Sequence, residues 1–178
     1  MNHKEKREYL INYLLSESNS INDVIIPKYD EEQKRLLRSL MNVREGTEID
    51  KEFLNIQDEY LKEVVIEKGI VDINDLKPIK NNLYLWKGDI TRLKCDAIVN
   101  AANSGMTGCY IPCHNCIDNC IHTYAGVELR IYMNDIMIKQ GHEEETGQLF
   151  QELPPLRSAY QDSLQAAECR CQRHTQDH

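Results

Sequence analysis

The chain has 178 residues, 41% of them hydrophobic, and a formal net charge of −8 at pH 7. That length suffices for one ordinary domain with an appendage, and the acidic balance argues against nonspecific nucleic-acid binding, which needs clustered cations. No apolar run approaches the ~20 residues of a membrane span, and the charged opening MNHKEKREYL lacks the apolar core of a signal peptide, so no membrane association and a cytoplasmic location are expected.

Residues 1–79 read as a helical extension. Leu10, Tyr13 and Leu14 recur at helical spacing. Glu31 to Met41 repeats the pattern with Leu36, Leu37 and Leu40, and Phe53, Ile56, Tyr60 and Val64 make a third stripe. Pro27 and the stretch NVREGTEID punctuate the three. The expectation is a cap on the region that follows, with docking to a partner as the other role.

Residues 80–148 differ in character. LYLWKGDI, from Leu83, alternates as a short strand and then meets a Gly-Asp turn. DAIVNAA, from Asp96, is a short apolar run expected to form a strand covered on both faces. Asp118 to Gln140 reads as one long helix, with an apolar stripe of Ile117, Ile121, Ala125, Leu129, Tyr132 or Met133, and Ile136. Gly141 is its expected stop. Strand, loop and helix in this order imply an α/β layered domain, in which ligands bind beyond the carboxyl ends of the strands. From Leu149 onward apolar residues thin out, and residues 149–178 read as a disordered tail with at most a weak helix over Ser158–Cys169.

The chemistry concentrates between Gly108 and His122, GCYIPCHNCIDNCIH. Four of the seven cysteines, two histidines and Asp118 fall within it. In a reducing compartment such a density implies metal ligation over disulfides, because zinc takes thiolate and imidazole in a tetrahedral shell; packed thiols are the alternative. The nearby strand-end asparagines and carboxylate point to a hydrolytic site.

GDIT at Gly88–Thr91, DAIVNAAN at Asp96–Asn103 and DNCIHTYAG at Asp118–Gly126 together resemble a macrodomain, the α/β/α module that binds ADP-ribose. The Cys–His–Cys loop in place of a glycine-rich one is similar to that of the zinc-containing macrodomains found beside microbial class M sirtuins and lipoyl-carrier proteins. The resemblance implies a three-layer fold with a helical extension, and zinc-dependent hydrolysis of mono-ADP-ribose from modified proteins. It implies zinc ligation by Cys109, His114 and Cys116. It also implies adenine recognition by Asp89 and the Ile90 backbone, distal-ribose contact by Asn103, and Asp118 as the active-site carboxylate. Asp89 could instead cap its own turn. Asn100 is expected to secure the loop backbone, His122 to be structural, and Cys113 and Cys120 to be packed thiols. The resemblance ends at GHEEETGQ, Gly141–Gln148. The strands and second glycine-rich loop expected beyond it are not found, as if the gene were abbreviated or its frame shifted. A non-catalytic ADP-ribose reader, a zinc-stabilised interaction module and an inactive fragment are therefore alternatives.

Overall fold

A computed structural model of the chain describes residues 1–17 and 24–143. The tail over residues 149–178 and its weak helix lie outside the described residues. The first three helices are α1 (His3–Glu17), α2 (Asp30–Val43) and α3 (Lys51–Lys68), and α1 packs on both α2 and α3. The sequence stripes supply the core between them. Leu10, Leu14, Leu37, Leu40, Phe53 and Tyr60 are all buried there, while Tyr13, Leu36, Ile56 and Val64 pack at its margin. Each apolar side chain so buried contributes roughly 1.5–3 kcal/mol, enough to hold together helices that alone would be marginal in water. Polar clamps add direction. Buried Arg7 donates to Gln33 Oε1 at 3.1 Å and to Asp30 Oδ1 at 2.7 Å, joining α1 to the start of α2. Lys6 bridges Glu59 and Glu63 on α3.

Among the described residues, four short strands follow. β1 (Val71–Asp72) pairs in parallel with β4 (Leu93–Lys94), and β2 (Pro78–Lys80) pairs antiparallel with β3 (Leu83–Tyr84). Of the alternating run LYLWKGDI, only Leu83–Tyr84 becomes strand. Asp89 then opens a 3₁₀ turn at Ile90–Arg92, which packs against α3.

Two expectations are corrected. The run DAIVNAA forms no strand, because among the described residues no neighbouring backbone pairs with it. Its alternation survives as burial: Ile98 and Asn100 point inward while Val99 is exposed. The expected single helix from Asp118 to Gln140 is two helices, α4 (Ile117–Ala125) and α5 (Val127–Gln140). Gly126 interrupts them at φ +82°, and the fully buried Gln57 of α3 comes so close that a Cβ there would lie 2.3 Å from its Nε2. Gln57 Oε1 accepts from Val127 N–H at 2.9 Å, capping the new helix from outside. The apolar stripe nevertheless runs through the break: Ile121, Ala125, Leu129 and Met133 form a second core with Ile98 and Met106. Gly141 ends α5 in the left-handed conformation, its N–H bonded to Met137 O at 2.9 Å, as its position implied.

Helices, strands and a loop-borne site together give the mixed α/β build expected of a macrodomain-like fold. Residues 95–116, between β4 and α4, form the irregular connection that carries the chemistry.

Candidate metal centre and active site

The connection between β4 and α4 folds back on itself and brings three soft or borderline ligand atoms together. One ligand atom each from Cys109, His114 and Cys116 lies within 4.8 Å of the others. Cys109 Sγ is 3.5 Å from His114 Nδ1. Cys116 is the N-cap of α4, with its sulfur accepting from Asn119 N–H at 3.4 Å. Burial raises the Cys116 thiol above its ordinary value, and the nearby Cys109 sulfur pushes the same way while the Asn119 N–H opposes. A buried thiol that resists ionising alone, beside a second sulfur and an imidazole, belongs to a donor set that a divalent cation would deprotonate and join. The set therefore fits zinc, whose tetrahedral shell would keep one position beyond these three ligands. The other two loop cysteines are engaged elsewhere. Cys113 Sγ donates to Arg35 O at 3.4 Å, and Cys120 Sγ accepts from Arg38 at 3.7 Å.

Asp118 lies two residues beyond Cys116, in the first turn of α4, and is 5% exposed. Burial raises its carboxyl above the usual range, against a hydrogen bond from Asn100 and the charge of Arg130. Asn100 Nδ2 donates to Asp118 Oδ1 at 2.7 Å, so Asn100 holds the carboxylate and not the loop backbone, contrary to the sequence expectation. His122, one turn further along α4, is 5% exposed, and burial lowers its pKa to about 3. It is neutral, so its 3.6 Å approach to Asp118 is no ion pair. It is packed beneath Gly108, whose φ is +86° and where a Cβ would fall 2.6 Å from the imidazole.

Asn103 is joined to the same loop. Its Nδ2 donates to Gly108 O at 3.1 Å, one residue before the first sulfur ligand. Asp89 and Ile90 lie on the 3₁₀ turn, which contacts α4, and Ile90 packs against the second core. Asp89 Oδ1 accepts from Thr91 N–H at 3.0 Å and from Thr91 Oγ1 at 2.6 Å, while Oδ2 accepts from Lys68 at 3.2 Å. Burial opposes its ionisation, but these bonds and the Lys68 charge hold its carboxyl below the usual range. Asp89 thus caps its own turn, the alternative its sequence position allowed.

The residues that hold the ligand loop were not foreseen. Asn119, fully buried, donates from Nδ2 to Cys109 O at 3.3 Å and to Ile111 O at 3.0 Å. Arg130 of α5 donates to Thr107 O at 2.6 Å, and its guanidinium lies 4.2 Å from the centre of the Tyr110 ring. Asn119 sits inside the DN-x-IH segment, the one local signal that could have drawn attention to it; Arg130 carries none. A cavity of about 750 Å³ opens beside the loop, between α2, α3 and α4, lined among others by Arg35, Arg38, Lys68, Cys113 and Tyr124. Its lining omits Asn103, Asp118, Cys109 and Cys116 but includes Cys113 and Asn115, on either side of His114.

Residues 99–152 match the Macro domain family. A protein-ADP-ribose hydrolase of Treponema medium is 58% identical over 151 residues, covering 83% of this chain and 58% of that protein. A protein-ADP-ribose hydrolase of Staphylococcus aureus is 44% identical over 145 residues, covering 81% of this chain and 54% of that protein. A probable bifunctional ADP-ribose hydrolase/ADP-ribosyltransferase of Fusarium oxysporum is 37% identical over 125 residues, 64% of this chain and 21% of the relative. The chain thus spans somewhat more than half the length of the first two relatives.

Proposed function

We propose that this chain carries the metal-bearing part of a zinc-dependent protein-ADP-ribose hydrolase, which releases mono-ADP-ribose from modified protein side chains. One observation carries the reading: a Cys–His–Cys donor set meets, two residues further on, a buried carboxylate oriented by an asparagine at 2.7 Å. The relatives' printed function, protein-ADP-ribose hydrolase, supports the reaction class.

Cys109, His114 and Cys116 would hold the zinc, which supplies Lewis-acid polarisation in a site where both other loop sulfurs are occupied elsewhere. Asp118 orients the attacking water and takes its proton; a carboxyl raised by burial is a better base than an exposed one. Asn100 fixes the Asp118 rotamer, so the base is in place before substrate arrives. Asn103 leaves its Oδ1 to accept from a distal-ribose hydroxyl while its Nδ2 is tied to the ligand loop. Oδ1 of Asp89 caps its own turn, and Oδ2 together with the Ile90 N–H would receive the adenine edge, with the Thr91 hydrogen bonds and Lys68 favouring the ionised carboxylate. The partners this implies are ADP-ribosylated proteins, a lipoyl carrier modified by a class M sirtuin being the candidate substrate.

The test is release of ADP-ribose from a mono-ADP-ribosylated lipoyl carrier, with metal analysis of the same sample. Cys116→Ala loses metal and turnover together; Asp118→Ala keeps metal and loses turnover, by the ~10²–10⁴-fold that general acid–base groups contribute. Unimpaired turnover by metal-free Cys116→Ala protein overturns the reading.

A further inference from the structure

The α2 helix lies far from the ligand loop in sequence, yet its side chains grip that loop on both sides of His114. Arg38 donates to His114 O at 2.7 Å, and the same nitrogen donates to Asn119 Oδ1 at 2.9 Å. Asn119 in turn holds Cys109 O and Ile111 O. One turn along α2, Asn42 accepts from Cys113 N–H at 2.9 Å through Oδ1 and donates to Thr123 Oγ1 of α4 at 2.9 Å through Nδ2. Asn42 is 1% exposed, so neither bond is exchanged for water without cost. Cys113, whose N–H Asn42 receives, has φ +54°, a strained backbone for a non-glycine residue that the surrounding bonds must impose. Arg130 closes the arrangement from the other side. It donates to Met41 O, Asn42 O and Arg44 O at the end of α2, and to Thr107 O within the loop.

We propose that the helical extension is a working wall of the metal centre: Arg38 and Asn42 position the backbone around His114, so metal affinity depends on docked α2, and metal binding in turn tightens that docking. The second half follows from the first, since a coupling free energy between two events is reciprocal. The cap role expected of the extension is thereby sharpened. Removing its contacts changes the metal site, not merely the stability of the chain. Arg38 and Asn42 are positioning residues, and neither touches the metal. The inference rests on the metal reading above, and the experiment separates the two.

Zinc affinity of the full chain is measured by competition with a chromophoric chelator, for wild type, Arg38→Gln, Asn42→Ala and the control Ile11→Val. Ile11 is fully buried in the helical core, a cluster that includes no residue of the loop over 95–116. Partners that orient ligands typically change metal affinity 10–100-fold, so Asn42→Ala and Arg38→Gln weaken zinc by about 10-fold or more while Ile11→Val does not. In wild type, zinc loading slows amide hydrogen exchange across residues 33–43. That measurement also decides the matter should a variant fail to fold. Wild type that binds no zinc overturns the metal reading and this inference with it. Wild type that binds zinc, alongside folded variants of equal affinity or unchanged exchange in α2, overturns this inference alone.

Discussion

Replacing Arg130 with Met tests how the two halves of the described structure are joined. The Arg130 side chain is 3% exposed and its guanidinium faces backbone carbonyls instead of a carboxylate: Thr107 O at 2.6 Å, Met41 O at 3.1 Å, Asn42 O at 2.7 Å and Arg44 O at 2.6 Å. Three of these belong to the last turn and cap of α2, where orphan carbonyls and the helix dipole favour a cation. Met matches the bulk of the side chain but donates nothing. Each hydrogen bond to a charged group is worth roughly 1.5–3 kcal/mol, but burying the guanidinium itself costs several kcal/mol, which Met recovers. The balance is set by the acceptors left behind, as when one partner of a buried pair is removed, at about 3–5 kcal/mol. At about 2–4 °C per kcal/mol for a chain of this size, the thermal midpoint falls by about 10 °C. Urea titration followed by circular dichroism gives the free energy directly. A loss below about 0.5 kcal/mol, the range of ordinary surface substitutions, means that water replaces the guanidinium at these carbonyls and refutes the accounting.

Gly108→Ala forces a side chain onto a backbone at φ +86° and into the His122 ring 2.6 Å away; left-handed strain and the clash together cost about 2–4 kcal/mol, and an unchanged urea midpoint would contradict the packing of His122 under the loop. Stability also depends on pH through His122. Its pKa is about 3 in the folded chain and 6.5 when unfolded, with Asp118 and Arg130 facing it, so the unfolded form takes up a proton first as pH falls. This contribution is complete above pH 6.5 and declines by about 1.4 kcal/mol per unit below it, toward pH 3; His122→Gln flattens the profile over that window, and an identical slope in the variant would refute the assignment.

The periodic and the local were legible in the residues alone. Helical stripes at Leu10–Leu14, Leu37–Leu40 and Phe53–Tyr60 are core in the structure because period 3.6 needs no knowledge of the partner surface. Cys109, His114 and Cys116 converge because only six residues lie between the outermost ligands, and so short a loop can scarcely hold them apart. Tertiary structure alone decided what holds that loop and where the helix breaks. Gln57 splits the stripe beside Gly126 by bonding Val127 across 70 residues, Asn42 reaches Cys113 across 71, and Arg130 reaches α2 and its cap across 86 to 89. A single buried polar side chain leaves no period in a sequence. Its partner is a backbone group, common to every residue type, so only the packed chain can say which one it meets. The run at Asp96–Ala102 makes the same point in reverse, since a strand needs a neighbour to exist and its own residues state only which side faces inward.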